Sequence, residues 1–222
     1  MADMTFVLAN KNYCLWPLPA WLCMKTAKLD FEEVLIPFEQ PDTTERMLGY
    51  GPTGRVPVLK HGERTIWDSL AICEYVHELA PEANLWPAES EARAVARSVA
   101  AEMHSGGART ISFALDTNVR RRTKRVTPTE DVARNIKRIL AIWKDCRTRF
   151  GHGGPFLFGQ FTIADAMQAH VVDRFVTYDI ALTTEGEIYR DTLRTYPPLV
   201  EWVAAAEKEP WKMERVDKLF TK

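Results

Sequence analysis

The chain has 222 residues, 46% of them hydrophobic and 27% charged, and its formal net charge is −1. This length suits one large domain or two small ones, with ample apolar material for a core. Near-neutrality excludes a global attraction to nucleic acid or to a membrane surface, and the lack of a basic leader after Met1 and of any apolar run near ~18 residues leads us to expect a soluble, cytoplasmic chain.

Thr5-Phe6-Val7-Leu8-Ala9 reads as a short strand, broken by Asn10-Lys11-Asn12. A helical stripe runs from Trp16 to Lys28 through Leu18, Trp21, Leu22 and Lys25. Phe31 to Pro37 returns to a strand, and Asp42-Thr43-Thr44-Glu45 opens a short helix ending near Gly49. Val56 to Leu59 is a strand, His61-Gly62-Glu63 a hairpin turn and Thr65-Ile66-Trp67 its partner. Ser69 to Leu79 is a helix with Leu70, Ile72, Cys73, Val76 and Leu79 on its buried side, stopped by Pro81. This order, βαβ, then α, then ββα, predicts a small mixed sheet flanked by helices.

Pro57 has no N–H to give, so it belongs at the start or edge of a strand, and the backbone of Val56 is left free to bond something else. Asp68 and Ser69 stand where helix N-caps stand, beside unpaired N–H groups. Together they suit a ligand that is itself a short peptide. Thr53-Gly54-Arg55-Val56-Pro57 followed by Asp68-Ser69 resembles the thioredoxin-like N-terminal domain of the glutathione transferase superfamily. The resemblance implies a cis bond before Pro57, a backbone pairing of Val56 with the cysteine of glutathione, and binding of the γ-glutamyl end by Asp68 and Ser69. Asn10-Lys11-Asn12-Tyr13 and Trp67-Asp68-Ser69-Leu70-Ala71-Ile72 further resemble a bacterial branch related to the zeta-type enzymes.

In that branch a serine usually follows Asn-Lys-Asn-Tyr and holds the glutathione sulfur; here the residue is Cys14, with Leu15 where a second small hydroxyl residue is expected. A serine donates a hydrogen bond to the glutathione thiolate, whereas a cysteine is a poor donor and a good nucleophile. Pro17 and Pro19 move the regular helix start downstream of Cys14, so activation of the thiol by the helix dipole is weak. Lys11 is a candidate for helping it electrostatically and for the glutathione site. Three roles for Cys14 stand open: contact with the glutathione sulfur, a mixed disulfide with glutathione, or that of a bystander. The other cysteines (Cys23, Cys73 and Cys146) read as small buried hydrophobes, and no CxxC or zinc spacing points to a metal.

The stretch around Pro81, Asn84 and Pro87 reads as a linker, docked by Trp86. From Glu89 to about Asp116 one long helix is predicted, interrupted by Gly106-Gly107, a pair that costs roughly 2 kcal/mol against two alanines. The resemblance puts this helix at the mouth of the cleft, which makes His104, Arg109, Asn118 and Arg120 candidates for the second-substrate site, with Leu15 and Trp16 beside Cys14. Arg120-Arg121-Arg122, Lys124 and Arg125 read as a solvated basic loop. Thr129 to Arg149 is a helix, and Thr162 with Asp165 forms an aspartate version of the capping box at the start of another, running through Val171, Val172 and Phe175. Thr195-Tyr196-Pro197-Pro198 opens a last helix, and Pro210 a short tail.

The expected architecture is therefore an α/β thioredoxin-like N-terminal domain (1–80), a linker (81–88) and an all-α C-terminal domain (89–222). What the resemblance implies is an enzyme conjugating glutathione, as co-substrate and without a metal, to a small hydrophobic electrophile. It also implies a homodimer with a detoxifying role, and no nucleic acid or membrane as partner. The alternatives are a Cys14-dependent glutathione thiol oxidoreductase or deglutathionylating enzyme, and a non-catalytic glutathione-binding module.

Overall fold

The structure, a computed structural model, describes residues 3–107, 111, 114–123 and 125–218. Four strands, β1 (Met4–Leu8), β2 (Glu32–Leu35), β3 (Val58–His61) and β4 (Arg64–Trp67), form one sheet in the order β2-β1-β3-β4. β1 and β2 are parallel, as the crossover through α1 (Leu18–Thr26) requires, and the β3–β4 hairpin is antiparallel. Gly62, at φ 55°, makes the tight turn between them.

The alternation along β1 decides what each face covers. Phe6 and Leu8, with Leu59 of β3, face the core built from α1 and α3 (Ser69–Leu79). Val7, Ala9 and Val58 face the other way, against Ile36, Cys14 and Met47 of α2 (Thr43–Tyr50). Cys14 thus belongs to the small apolar cluster on the α2 side, on which Val56 and Trp16 also pack.

The helical part comprises α4 (Ser90–Glu102), α5 (Glu130–Phe150), α6 (Ile163–Thr177), α7 (Thr184–Arg194), α8 (Pro197–Lys208) and α9 (Glu214–Asp217). α1 packs against α6 and α8, which joins the sheet's core to the helical core without a break. Trp86 docks the connecting segment as expected, donating from its indole N–H to Glu74 Oε2 at 2.9 Å.

α6 is buried along nearly its whole length. The Asp165 carboxylate accepts from the N–H groups of Leu157 and Thr162 and from the hydroxyls of Thr162 and Tyr189. Burial nevertheless pushes this carboxyl up to about 6.

Four expectations need correction. The long helix of 89–116 is regular α-helix only to Glu102; Met103–Gly107, at the interruption expected around Gly106-Gly107, winds as a wider π-helical turn, and residues 111 and 114 are again helical. Gly106 and Gly107 bring no side chain to hold the tighter helix there. Leu79 is not on the buried side of α3 but 37% exposed. α7 was not foreseen: it buries only Gly186, Tyr189 and Leu193, too sparse a pattern to read, and is capped by the Thr183 hydroxyl on the Gly186 N–H. α9, one turn long, was read as tail.

Replacing Asp165 by alanine strands four donors in the interior. We expect a loss of about 3 kcal/mol or more in unfolding free energy. Urea denaturation followed by tryptophan fluorescence measures it, and a loss below about 1 kcal/mol would contradict the role given to this carboxylate.

Candidate functional site

The loop after β1 carries its own sequence logic. It has left the sheet, so its backbone donors need partners elsewhere. Glu209, just past α8, supplies them: its carboxylate accepts from the N–H of Lys11 at 2.7 Å and of Asn12 at 3.1 Å. The Asn12 amide accepts from the Arg120 N–H and donates to Asn118 Oδ1. The Tyr13 hydroxyl donates to the Asp217 carboxylate and accepts from Arg120. Cys14 then closes a turn, its N–H donating to Asn10 O at 2.9 Å.

Cys14 is 7% exposed. α1 begins at Leu18, so the thiol lies ahead of the helix's first turn, as the two prolines predict. Burial pushes the thiol up to about 11, against the pull of the Trp16 N–H and of the Arg174 charge. Arg174, buried on α6, donates to the carbonyls of Leu115 and His170 and to the Thr117 hydroxyl. Burial first, then the charge of Arg174, holds the neighbouring His170 well below the usual histidine range, so it is neutral.

Across the cluster, the Val56–Pro57 bond is cis and leads into β3. At the end of β4, Asp68 adopts φ 76°, unusual for a residue with a Cβ, and caps α3 through Oδ1 on the N–H groups of Leu70 and Ala71. Ser69 is buried, and its hydroxyl has no hydrogen-bond partner among the described residues. His104, from the π-helical turn, places Nε2 2.9 Å from Asp68 Oδ2, and its ring meets Trp16 edge-to-face at 6.0 Å. Trp16 also lies 5.3 Å from the His170 ring. The structure thus brings Cys14, Trp16, Asp68, Ser69 and His104 together with the Val56–Pro57 bond.

The remaining candidates are engaged elsewhere. Lys11 pairs with Glu33 at 2.6 Å and lies 5.2 Å from the rings of both Trp21 and Trp202, so neither the thiol nor a ligand has its charge. Leu15 is a core residue, 2% exposed. Asn118 and Arg120 bind the C-terminal segment: Asn118 donates to Asp217, and Arg120 to the carbonyls of Glu209 and Trp211. Nor is the basic loop simply solvated, since Arg121 holds the Val216 carbonyl and Arg125 pairs with Asp179. Arg109 and Lys124 lie outside the described residues. Sequence reasoning missed Glu209, Asp217 and Arg174, which are lone residues with no motif around them.

Comparison with known proteins adds the following. Residues 13–79 match the family described as glutathione S-transferase, N-terminal domain, and residues 129–205 that described as glutathione S-transferase, C-terminal domain. A dichloromethane dehalogenase of Methylorubrum extorquens is 39% identical over 91 residues, 37% of this chain. Glutathione S-transferase 1 of Dianthus caryophyllus is 37% identical over 82 residues, also 37% of this chain. These matches span only 32% and 37% of the two relatives' own lengths. Glutathione S-transferase F14 of Arabidopsis thaliana is 25% identical over 198 residues, covering 86% of this chain and 75% of its own. Among solved structures, a Burkholderia glutathione transferase homologue with bound glutathione superposes with a TM-score of 0.71 at 22% identity, covering 93% of this chain and 99% of its own. A theta class enzyme from Xanthomonas axonopodis pv. citri, also with glutathione bound, gives 0.67 at 19%, covering 91% and 98%. At these identities the structures show the fold.

The Asp68–His104 pair has a pH signature. The hydrogen bond to Asp68 raises His104 above its ordinary 6.5 despite its partial burial. Burial pushes Asp68 up, but the bond and charge of His104 win, and Asp68 falls below its ordinary 3.8. The histidine's share of stability is complete below 6.5 and fades as pH rises through the higher folded value. The carboxylate's share is present above 3.8 and fades as pH falls through the lower one. NMR titration of the His104 imidazole is expected to show the raised value in the wild type and a lower one in Asp68→Asn; an unchanged titration would remove the pair.

Proposed function

We propose, from the premise that this chain belongs to the glutathione S-transferase superfamily, that it binds glutathione at Val56, Pro57, Asp68 and Ser69 and conjugates it to a small apolar electrophile. The observation that carries this is the buried hydroxyl of Ser69, which has no hydrogen-bond partner among the described residues. A buried polar atom without a partner is costly, and a ligand group that pairs with it relieves the cost. The α-carboxylate of a γ-glutamyl group suits that hydroxyl at the start of α3. Asp68 Oδ2, which meets His104, has a further lone pair for the ligand's ammonium group.

The residues of this chain then divide the work. Val56, ahead of the proline, offers its backbone to the middle of the tripeptide. Cys14 and the Trp16 N–H sit where a ligand thiol would follow. Trp16 and His104 form the wall on the electrophile side. The proposal includes a homodimer and a detoxifying role in the cytoplasm.

The thiol-oxidoreductase reading needs Cys14 as a ready thiolate. Its burial, with the thiol raised to about 11, opposes that in the ligand-free protein. Conjugation asks only that Cys14 hold the sulfur of glutathione.

Calorimetry should show glutathione binding to the wild type, weakened about tenfold or more in Ser69→Ala, which removes a hydrogen bond to a charged group. Cys14→Ser should keep or gain transfer to an aromatic halide. If Cys14→Ser instead abolishes reduction of a glutathione mixed disulfide that the wild type turns over, the oxidoreductase reading replaces this one. Absence of any heat with glutathione would end both.

A further inference from the structure

His170, on α6, is a histidine whose chemistry its neighbours fix. The side chain is buried, and its Nδ1 lies 3.2 Å from Arg174 Nη1. A guanidinium can only donate, so Nδ1 is the acceptor, and the single proton of the neutral ring sits on Nε2. Arg174 spends its remaining bonds on the carbonyls of Leu115 and His170 and on the Thr117 hydroxyl. Each of these acceptors is uncharged. The buried cation therefore polarises the imidazole through Nδ1 and makes Nε2–H a stronger donor.

That donor is idle. His170 Nε2 is buried and has no hydrogen-bond partner among the described residues. Its ring lies 5.3 Å from that of Trp16, whose other face of contact is the His104 ring at 6.0 Å. His104 Nδ1 is likewise buried and without a partner among the described residues. An otherwise apolar wall thus carries a buried N–H that lacks an acceptor, a cost that calls for a reason.

We infer that His170 is a specificity-determining residue of this site: its Nε2–H, held in one tautomer by Arg174, takes the carbonyl oxygen of an electrophile whose acceptor carbon is conjugated to that carbonyl. The inference rests on the glutathione reading above. In the reaction the glutathione thiol first loses its proton to solvent. Its sulfur forms a bond to the β-carbon, and the C=C π pair moves toward the carbonyl to give an enolate. The negative charge grows on the oxygen that accepts from Nε2–H, where a fixed donor lowers the barrier. A proton from solvent then completes the α-carbon, and His170 keeps its own. Addition expels no group, which suits a donor closed to solvent. Displacement of a halide would instead leave an anion in that closed place.

The test compares benzylideneacetone with benzyl chloride, two phenyl electrophiles of which only the first has the oxygen. His170→Phe should lower the ratio of their kcat/KM values about 100-fold, the usual effect of losing one such donor. His170→Gln, whose amide can accept from Arg174 and still donate, should restore most of the ratio. In the ligand-free wild type, nitrogen NMR should show the proton of His170 on Nε2. A ratio unchanged in His170→Phe, with both substrates slowed alike or neither slowed, would overturn the inference, as would a proton found on Nδ1. Calorimetry keeps the two readings apart. Unchanged glutathione binding in His170→Phe with an unchanged ratio sinks only this inference, whereas no heat with glutathione in the wild type sinks the reading it rests on.

Discussion

The rest of the site depends on one carboxylate, that of Glu209, taking the N–H groups of Lys11 and Asn12. A chain leaving the end of a central strand carries donors that the sheet no longer satisfies, and here they are buried. With these two paired, the loop's side chains are free to point outward in different directions. Asn10 takes the Phe38 N–H, Lys11 reaches Glu33, Asn12 takes Arg120, and Tyr13 takes Asp217. Only Cys14 is left over, and the turn places it against the α2-side cluster. The position of the thiol is therefore set by residues roughly 200 positions away as much as by its neighbours.

A similar long-range construction governs the electrostatics. The polar cap of α3 is local, but the charge opposite it comes from His104, on the far side of the linker. The buried cation behind Cys14 comes from Arg174, in the middle of α6. That cation acts to lower the thiol, while Glu209, which fixes the loop, acts to raise it after burial itself. The group that positions Cys14 thus also helps keep it protonated. A buried, protonated thiol is a contact surface rather than an attacking group.

What was legible in the sequence was what local rules write. The proline that cannot donate, the acid and hydroxyl at a helix start, the prolines that delay α1 and the capping box at Thr162 are each contained in a few residues. The mixed sheet followed from the order of short elements. Lys11, Asn118 and Arg120 misled because a charged or amide side chain beside a motif looks available. The structure spends all three on the C-terminal segment or on a tryptophan pair, contacts 89 to 99 residues away or with no periodicity to announce them. α7 is illegible for the opposite reason, since a helix that buries only Gly186, Tyr189 and Leu193 shows too few apolar positions to make a stripe.

The π-helical turn at Met103–Gly107 ties these threads together. An uninterrupted α4 would carry its 3.6-residue period past Glu102 and rotate the following side chains accordingly. The wider turn changes that rotation, and His104 emerges where Nε2 meets Asp68 and its ring meets Trp16. The Gly106-Gly107 pair costs helix stability, and the Asp68–His104 contact is the compensating gain visible at the same place. Glycines that look like a defect in a helical pattern are thus the means by which the helical half of the molecule touches the polar cap of the α/β half. The proposed second-substrate wall then lies on a helix irregularity, and the proposed glutathione groove on a regular sheet and cap. A change of electrophile would then require altering Trp16 and the Met103–Gly107 turn, and leave Val56 to Ser69 as they are.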